Sequence, residues 1–192
     1  MTNAASPAIR QPAPSMTFQN TPIPGCVLVL PTWHEDERGG FARTWDGDLF
    51  AQHGLAGAVT QCSASRNRQR GTLRGMHYQV APHEEAKLVR CTRGAVYDVC
   101  LDLREDSETY RQSVGAELTA ENGHALYIPP GCAHGFLTLA DDAEVFYMIA
   151  GAYAPEAARG VRWDDPAFGI EWPEPVRVIK DRDATYPDWT GV

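Results

Sequence analysis

From Val27 onward one pattern repeats: an apolar run of about six residues rich in β-branched or aromatic side chains, then a turn of Gly, Pro, Asp or Asn. Val27–Leu30 ends at Pro31, and Leu88–Thr92 meets a turn at Arg93-Gly94. Ala95–Leu103 follows and alternates with period two, which puts Val96 and Cys100, with Asp98 between them, on one face and Tyr97, Val99 and Leu101 on the other. Ser113–Leu118, Ala125–Ile128, Gly135–Leu139 and Glu144–Ile149 continue the series, broken by Glu121-Asn122-Gly123, Pro129-Pro130-Gly131 and Asp141-Asp142. Such spacing predicts an all-β fold, an antiparallel sandwich or barrel with few short helices. The best helix candidate is Asp46–His53, with Asp46 as cap, Leu49 and Phe50 facing inward and Gly54 as the stop. From Tyr153 the chain turns rich in Pro, Asp and Trp and reads as a C-terminal wrap over the barrel.

A length of 192 residues suits one domain. Residues 1–22, rich in Ala, Pro, Ser, Thr and Asn and without an apolar signal core, are expected to be a disordered tail, and residues 23–192 a single domain. Cys26, Cys62, Cys91, Cys100 and Cys132 form no CxxC pair, and an odd number argues against a disulfide framework. They fit small buried apolar residues in a reducing cytoplasm. No run approaches the roughly 20 apolar residues of a membrane span, so no membrane partner is expected. With 25 Asp and Glu against 17 Lys and Arg the net charge is −8, and Lys87 and Lys180 are the only lysines. Binding to a nucleic-acid polymer, which relies on many cations, is set aside. Any smaller anion must be met by individually placed cations.

Polar groups inside strand-like runs mark the candidate site, because burying them is costly unless they are paired or used. In Arg70–Gln79, an extended segment, Arg74 and Met76 are expected on one face and Leu73, Gly75 and His77 on the other. A histidine facing a barrel interior is a candidate general base. Gly123–His134 fits the second motif of the cupins: a Gly, five residues, Pro-x-Gly, two residues and His. The first cupin motif would read His77-Tyr78-Gln79, with Gln in place of a histidine ligand. A facial triad of His77, Glu84 and His134 for iron is therefore one reading, that of a metal-dependent oxygenase, although amide oxygen is a weak ligand beside imidazole.

Leu73-Arg74-Gly75-Met76-His77-Tyr78-Gln79, Lys87-Leu88-Val89-Arg90, Gly94–Val99 and Ile128–Phe136 together resemble the dTDP-4-dehydrorhamnose 3,5-epimerase family. So do Tyr153-Ala154-Pro155-Glu156, Arg159–Pro166 and Lys180-Asp181-Arg182-Asp183, and the likeness runs in order from about Pro24 to Pro187. The resemblance implies a cupin-type sandwich or jelly-roll barrel, without metal or redox cofactor, that inverts carbons flanking the C4 ketone of a nucleotide-linked 4-keto-6-deoxyhexose in deoxysugar biosynthesis. Such chemistry needs a base at the α-proton, cationic or hydrogen-bonding groups at the enolate oxygen, and an acid on the opposite face. By similarity His77 is the base, Asp183 its orienting carboxylate, Tyr147 the proton donor and Lys87 the cation at the C4 oxygen. Similarity likewise makes His134 a substrate contact, gives Arg38, Arg74 and Arg182 to the diphosphate, and stacks Tyr153 on the base of the nucleotide. Arg38 is expected to reach the site of the partner subunit in a homodimer. Three departures bear on substrate identity and on whether one or both carbons invert. Arg43 and Ala158 stand where the family has glutamates, and Gln61–Asn67 departs from Gln-Asp-Asn-His-Ser with one residue inserted before Gly71. A sugar-nucleotide-binding cupin without catalysis is the rival from another class.

Overall fold

The computed structural model describes residues 14–191. Its elements are Met16–Asn20 (β1), Val27–Pro31 (β2), His34–Asp36 (β3), Gly39–Phe41 (β4), helix Gly47–Gln52 (α1), Gln61–Asn67 (β5), Thr72–Gln79 (β6), Ala86–Arg93 (β7) and Ala95–Asp102 (β8). Ser113–Thr119 (β9), Ala125–Ile128 (β10), Cys132–Thr138 (β11), Ala143–Ala150 (β12), Ala158–Gly160 (β13), Val178–Ile179 (β14) and helix Asp181–Ala184 (α2) follow. They build the all-β antiparallel sandwich expected from the sequence. One six-stranded sheet runs β1-β2-β10-β7-β12-β5, and the other runs β13-β6-β11-β8-β9, with the short β14 added in parallel to β6. Strands β3 and β4 form a separate hairpin.

Period-two alternation sorts the core into layers, and β8 shows how. Val96 and Cys100 join Val89, Leu118, Leu126, Phe136 and Val145 between the sheets. Val99 and Leu101 face the other way and pack with Val161, Phe168, Trp172 and Trp189 of the C-terminal segment. The wrap thus supplies the apolar cover that the second sheet needs on its outer face. On the first sheet that task falls to α1, whose Phe50 packs with Val27, Leu88 and Tyr127. Asp46 caps this helix as expected, its carboxylate accepting from the Leu49 amide at 3.2 Å.

Two expectations need correction. Residues 1–13 lie outside the described residues, but the remainder of the supposed tail contains β1, which pairs along its length with β2. Met16 is buried and Phe18 meets the Phe50 ring edge at 5.2 Å. Five residues of alternation sufficed to make an edge strand, hidden in sequence by the flanking Pro, Ala and Ser. Among the cysteines all five are free, but Cys62 is exposed, since it sits on the outward face of β5. Among the described residues no helix is long and apolar enough to cross a membrane.

One buried charge organises the end of the barrel away from the cleft. Asp102, fully buried, accepts from Arg104 Nε and Nη2 at 2.8 Å each, from the Ser107 hydroxyl at 2.6 Å and from the Thr109 hydroxyl at 2.7 Å. Burial alone would raise its carboxyl, but these donors hold it well below the ordinary range. Because the folded value is depressed, the stabilisation is complete above the ordinary carboxyl value of about 3.9 and is lost as pH falls toward the folded value. Asp102→Asn, which removes the charge and leaves donors unsatisfied, is expected to cost about 2–4 kcal/mol of unfolding free energy. Urea unfolding at neutral pH measures this, and the gap between variant and wild type should narrow in acid.

Candidate active site

A cleft of about 760 Å³ opens between the sheets. Its walls carry Arg74 and His77 from β6, Lys87 from β7, His134 and Phe136 from β11, Tyr147 from β12, and Gln61, Ser63 and Ser65 from β5. Arg182 and Asp183 enter from α2, and the exposed Tyr153 stands at the wall beyond β12.

Simple alternation would place Arg74 opposite His77, yet both line the cleft. The reason is a β-bulge: His134 pairs with His77 and Phe136 with Arg74, so three steps on β6 oppose two on β11. The extra residue changes the phase of the strand. Met76 is sent into the outer layer with Val99 and Leu101, and Arg74 turns inward to share the face of His77. Gly75 sits at this bulge with φ of 134°, and a Cβ there would lie 2.5 Å from Gly135 Cα.

His77 Nε2 lies 2.9 Å from Asp183 Oδ1, and the Gly75 amide donates to Asp183 Oδ2 at 3.4 Å. Arg182 flanks the pair, 3.3 Å from the same ring nitrogen and 3.5 Å from Asp183 Oδ1. Burial pushes the Asp183 carboxyl up, but the hydrogen bond and charge of His77, the Gly75 amide and Arg182 together hold it below its ordinary value. An ionised Asp183 therefore accepts a hydrogen bond from Nε2–H of His77 and leaves the lone pair on Nδ1, the arrangement a general base requires.

His134, on the neighbouring strand, forms a second pair, with Nε2 2.7 Å from Asp98 Oδ1 and both side chains buried. The Tyr147 ring meets His134 edge-on at 6.1 Å. Burial, reinforced by the charge of Asp98, pushes the Tyr147 phenol well above its ordinary value, with Ser65 and Arg74 acting in the opposite sense. The phenol is thus held protonated at neutral pH, as an acid must be. Lys87 is not a solvated surface lysine: it is largely buried and pairs with Glu85 at 3.0 Å.

Sequence reasoning missed Glu85, although its place two residues before Lys87 was a same-face signal, and it gave Asp98 a face without a partner. Arg74 reaches Asn67 Oδ1 at 2.7 Å, which fixes its stem beside the cleft. Arg38 is not brought to the cleft of its own chain; it sits at the tip of the β3–β4 hairpin, exposed and paired with Asp36. Arg43 pairs with the helix cap Asp46 at 2.5 Å, and Ala158 pairs with Gln79 in the register of β13.

The triad of His77, Glu84 and His134 does not assemble. Glu84 is exposed and outside the cleft wall, and each imidazole is engaged by a carboxylate of its own. Gln79, in the position of the missing ligand, donates to the carbonyls of His83 and Ala152 and accepts from the Ala154 amide.

A family model described as dTDP-4-dehydrorhamnose 3,5-epimerase matches residues 20–190. The chain belongs to the dTDP-4-dehydrorhamnose 3,5-epimerase family. A dTDP-4-dehydrorhamnose 3,5-epimerase of Sinorhizobium fredii is 41% identical over 173 residues, covering 90% of this chain and 89% of the relative. The crystal structure of a dTDP-4-dehydrorhamnose 3,5-epimerase from Bacillus anthracis, with TDP and PPi bound, superimposes with a TM-score of 0.87 at 33% identity, covering 91% of this chain and 99% of that one. A 3'-monoepimerase from Streptomyces bikiniensis, in complex with dTDP-quinovose, gives 0.82 at 34% identity and covers 88% and 86%. This dTDP-4-dehydrorhamnose 3,5-epimerase family member is thus an enzyme of cupin-type fold.

In this epimerase the bulge is the feature that a single atom can test. Gly75→Ala forces a Cβ against the backbone of Gly135 and is expected to cost more than about 2 kcal/mol of unfolding free energy. It should also lower kcat/KM by at least about tenfold, because the paired His77 and His134 form the rung next to that contact. Urea unfolding and initial-rate kinetics measure the two effects.

Proposed function

We propose that this enzyme inverts C3, C5 or both of a nucleotide-linked 4-keto-6-deoxyhexose, of the dTDP-4-dehydro-6-deoxyglucose type, in cytoplasmic deoxysugar biosynthesis. The observation that carries the reading is the placement of His77, paired with Asp183 of α2, on one sheet and the partly buried Tyr147 on the other, with the cleft between them. The TDP of the Bacillus anthracis relative and the dTDP-quinovose of the Streptomyces bikiniensis structure support the choice of ligand class.

In this mechanism Nδ1 of His77 takes the proton from the carbon beside the C4 ketone. The C–H electron pair moves into the ring, and the carbonyl π electrons move to O4. Lys87 stabilises the enolate oxygen as a largely desolvated cation, whose effect is greater there than in water. Tyr147 then gives its proton to the opposite face of the same carbon, and the configuration is inverted. His77 passes its proton to solvent and the Tyr147 phenolate regains one, so no oxidant, reductant or metal enters the balance.

Arg74 and Arg182 hold the diphosphate, Tyr153 stacks on the base and His134 contacts the sugar. Arg38, exposed on its hairpin, completes the site of the partner in a homodimer. Arg43, Ala158 and the Gln61–Asn67 segment are the places at which sugar or nucleotide preference departs from other members.

Incubation with dTDP-4-keto-6-deoxyglucose in deuterated water tests the reaction. Deuterium is expected at C3, C5 or both, and its absence with an intact, TDP-binding protein overturns the assignment for this substrate and favours the binding-only reading. His77→Ala should abolish exchange at every position, since no other residue is proposed as the base. Tyr147→Phe should retain TDP binding and some exchange while product formation falls by about 10²-fold or more; unchanged turnover removes Tyr147 from the mechanism.

The dimer has its own test. Arg38→Ala is expected to weaken TDP binding about tenfold or more, the loss of a charge-assisted contact, by calorimetry. A wild type that sediments as a monomer while binding TDP normally overturns this placement of Arg38.

A further inference from the structure

Asp98 is a buried titratable group that the proposed mechanism does not use. It projects from β8 into the layer between the sheets, beside Val96 and Cys100, with no solvent exposure. Four elements enclose it: its own strand, β11 with His134, β7 with Lys87 and β12 with Tyr147. Its Oδ1 meets His134 Nε2 at 2.7 Å, whereas Oδ2 is buried without a hydrogen-bond partner among the described residues. An ionisable side chain in an apolar layer with half its acceptors unused is an expensive way to hold a ring in place. A threonine or asparagine would anchor the imidazole without burying a charge. What an ionised carboxylate adds is a demand on where the ring carries its proton, because it can only accept.

We infer that Asp98 is a positioning residue that fixes the proton of His134 on Nε2 and so reserves Nδ1, as an acceptor, for a hydroxyl of the bound sugar. The inference rests on the function proposed above. It follows from the geometry that Nε2 is spoken for and that His134 lines the cleft, so Nδ1 is the ring nitrogen left to a ligand. The direct register pairing of His134 with His77 gives this a mechanistic use: the ring that orients the sugar and the ring that takes its proton sit opposite each other across one strand pair. Each is then locked by its own carboxylate, Asp98 for one and Asp183 for the other. The competing arrangement is a protonated, neutral Asp98 that donates to a bare Nε2, with the ring proton on Nδ1. Burial raises the carboxyl and favours that form, while His134 and Lys87 oppose it.

The two arrangements differ in a proton that nitrogen NMR can locate. In protein labelled with ¹⁵N at histidine, with the His134 signals assigned by their loss in His134→Asn, the wild type should show Nε2 protonated and Nδ1 bare. A ring protonated on Nδ1 alone overturns the inference, and this arm needs neither turnover nor a variant at Asp98. Asp98→Asn keeps the shape, but its amide can donate to Nε2 and drive the proton to Nδ1. That variant should lose about 10- to 10²-fold in kcat, the effect of replacing a hydrogen bond to the sugar with a mismatched donor. TDP affinity should stay within about twofold, because the nucleotide is held elsewhere. If Asp98 acts through His134, the double variant Asp98→Asn/His134→Asn is no slower than His134→Asn alone. An Asp98→Asn enzyme with wild-type kcat, or a double variant slower than His134→Asn by about tenfold, overturns it. A wild type that inverts no 4-keto sugar counts against the proposed function instead, and the tautomer measurement still decides the role of Asp98.

Discussion

The close approach of β6 and β11 at Gly75 and Gly135 is the constraint on which the cleft depends. Two glycines meet where no Cβ fits, and the bulge that this permits changes the phase of β6 in mid-strand. Before the bulge and after it, the strand presents polar residues to the same interior: Arg74 on one side, His77 on the other. The residue in between, Met76, is spent on the outer layer, where it helps bind the C-terminal wrap. A regular strand would have given up either the arginine or the histidine.

Around that strand the cleft holds charge in compensated pairs. His77 is matched by Asp183, His134 by Asp98, and Lys87 by Glu85. Arginine heads at the mouth remain largely solvated, as do Arg74 and Arg182. This division follows from the cost of burying charge: deep groups need partners in the free protein, whereas groups that meet an anionic ligand can wait in water. The acidity of the chain is therefore no obstacle to an anionic ligand, because few cations are needed when each is placed.

Much of the fold was legible because it rests on period two. The two faces of β8, the limits of β10 and the cap and stop of α1 all follow from local pattern. The positions of His77, Lys87, His134, Tyr147 and Asp183 followed from motif order, and the cleft gathers all of them. What escaped was non-local or broke the period. The bulge has no local signature beyond a glycine, so the expected facing of Arg74 was wrong. Met16–Asn20 looked like tail because pairing with β2, invisible in a short segment, is what makes it a strand. Asp98 and Glu85 were visible as residues but not as partners, since each carboxylate gains meaning only from the chain brought to it.

The carboxylate of the dyad lies 106 residues beyond its histidine, on a four-residue helix reached through β14, whose only register is two residues on β6. Trp189 beyond α2 packs with Val161 and Phe168 and holds the segment from its other side, yet a terminal segment of this kind can open without unfolding the body that carries it. Each opening would strip His77 of the charge that fixes its tautomer while both large sheets stay folded. In the proposed mechanism chemical competence is thereby tied to the docking of the C-terminal segment rather than to the stability of the barrel. A population of fully folded sandwiches can hold inactive members, and heat or mild denaturant should silence the enzyme before the sheets give way.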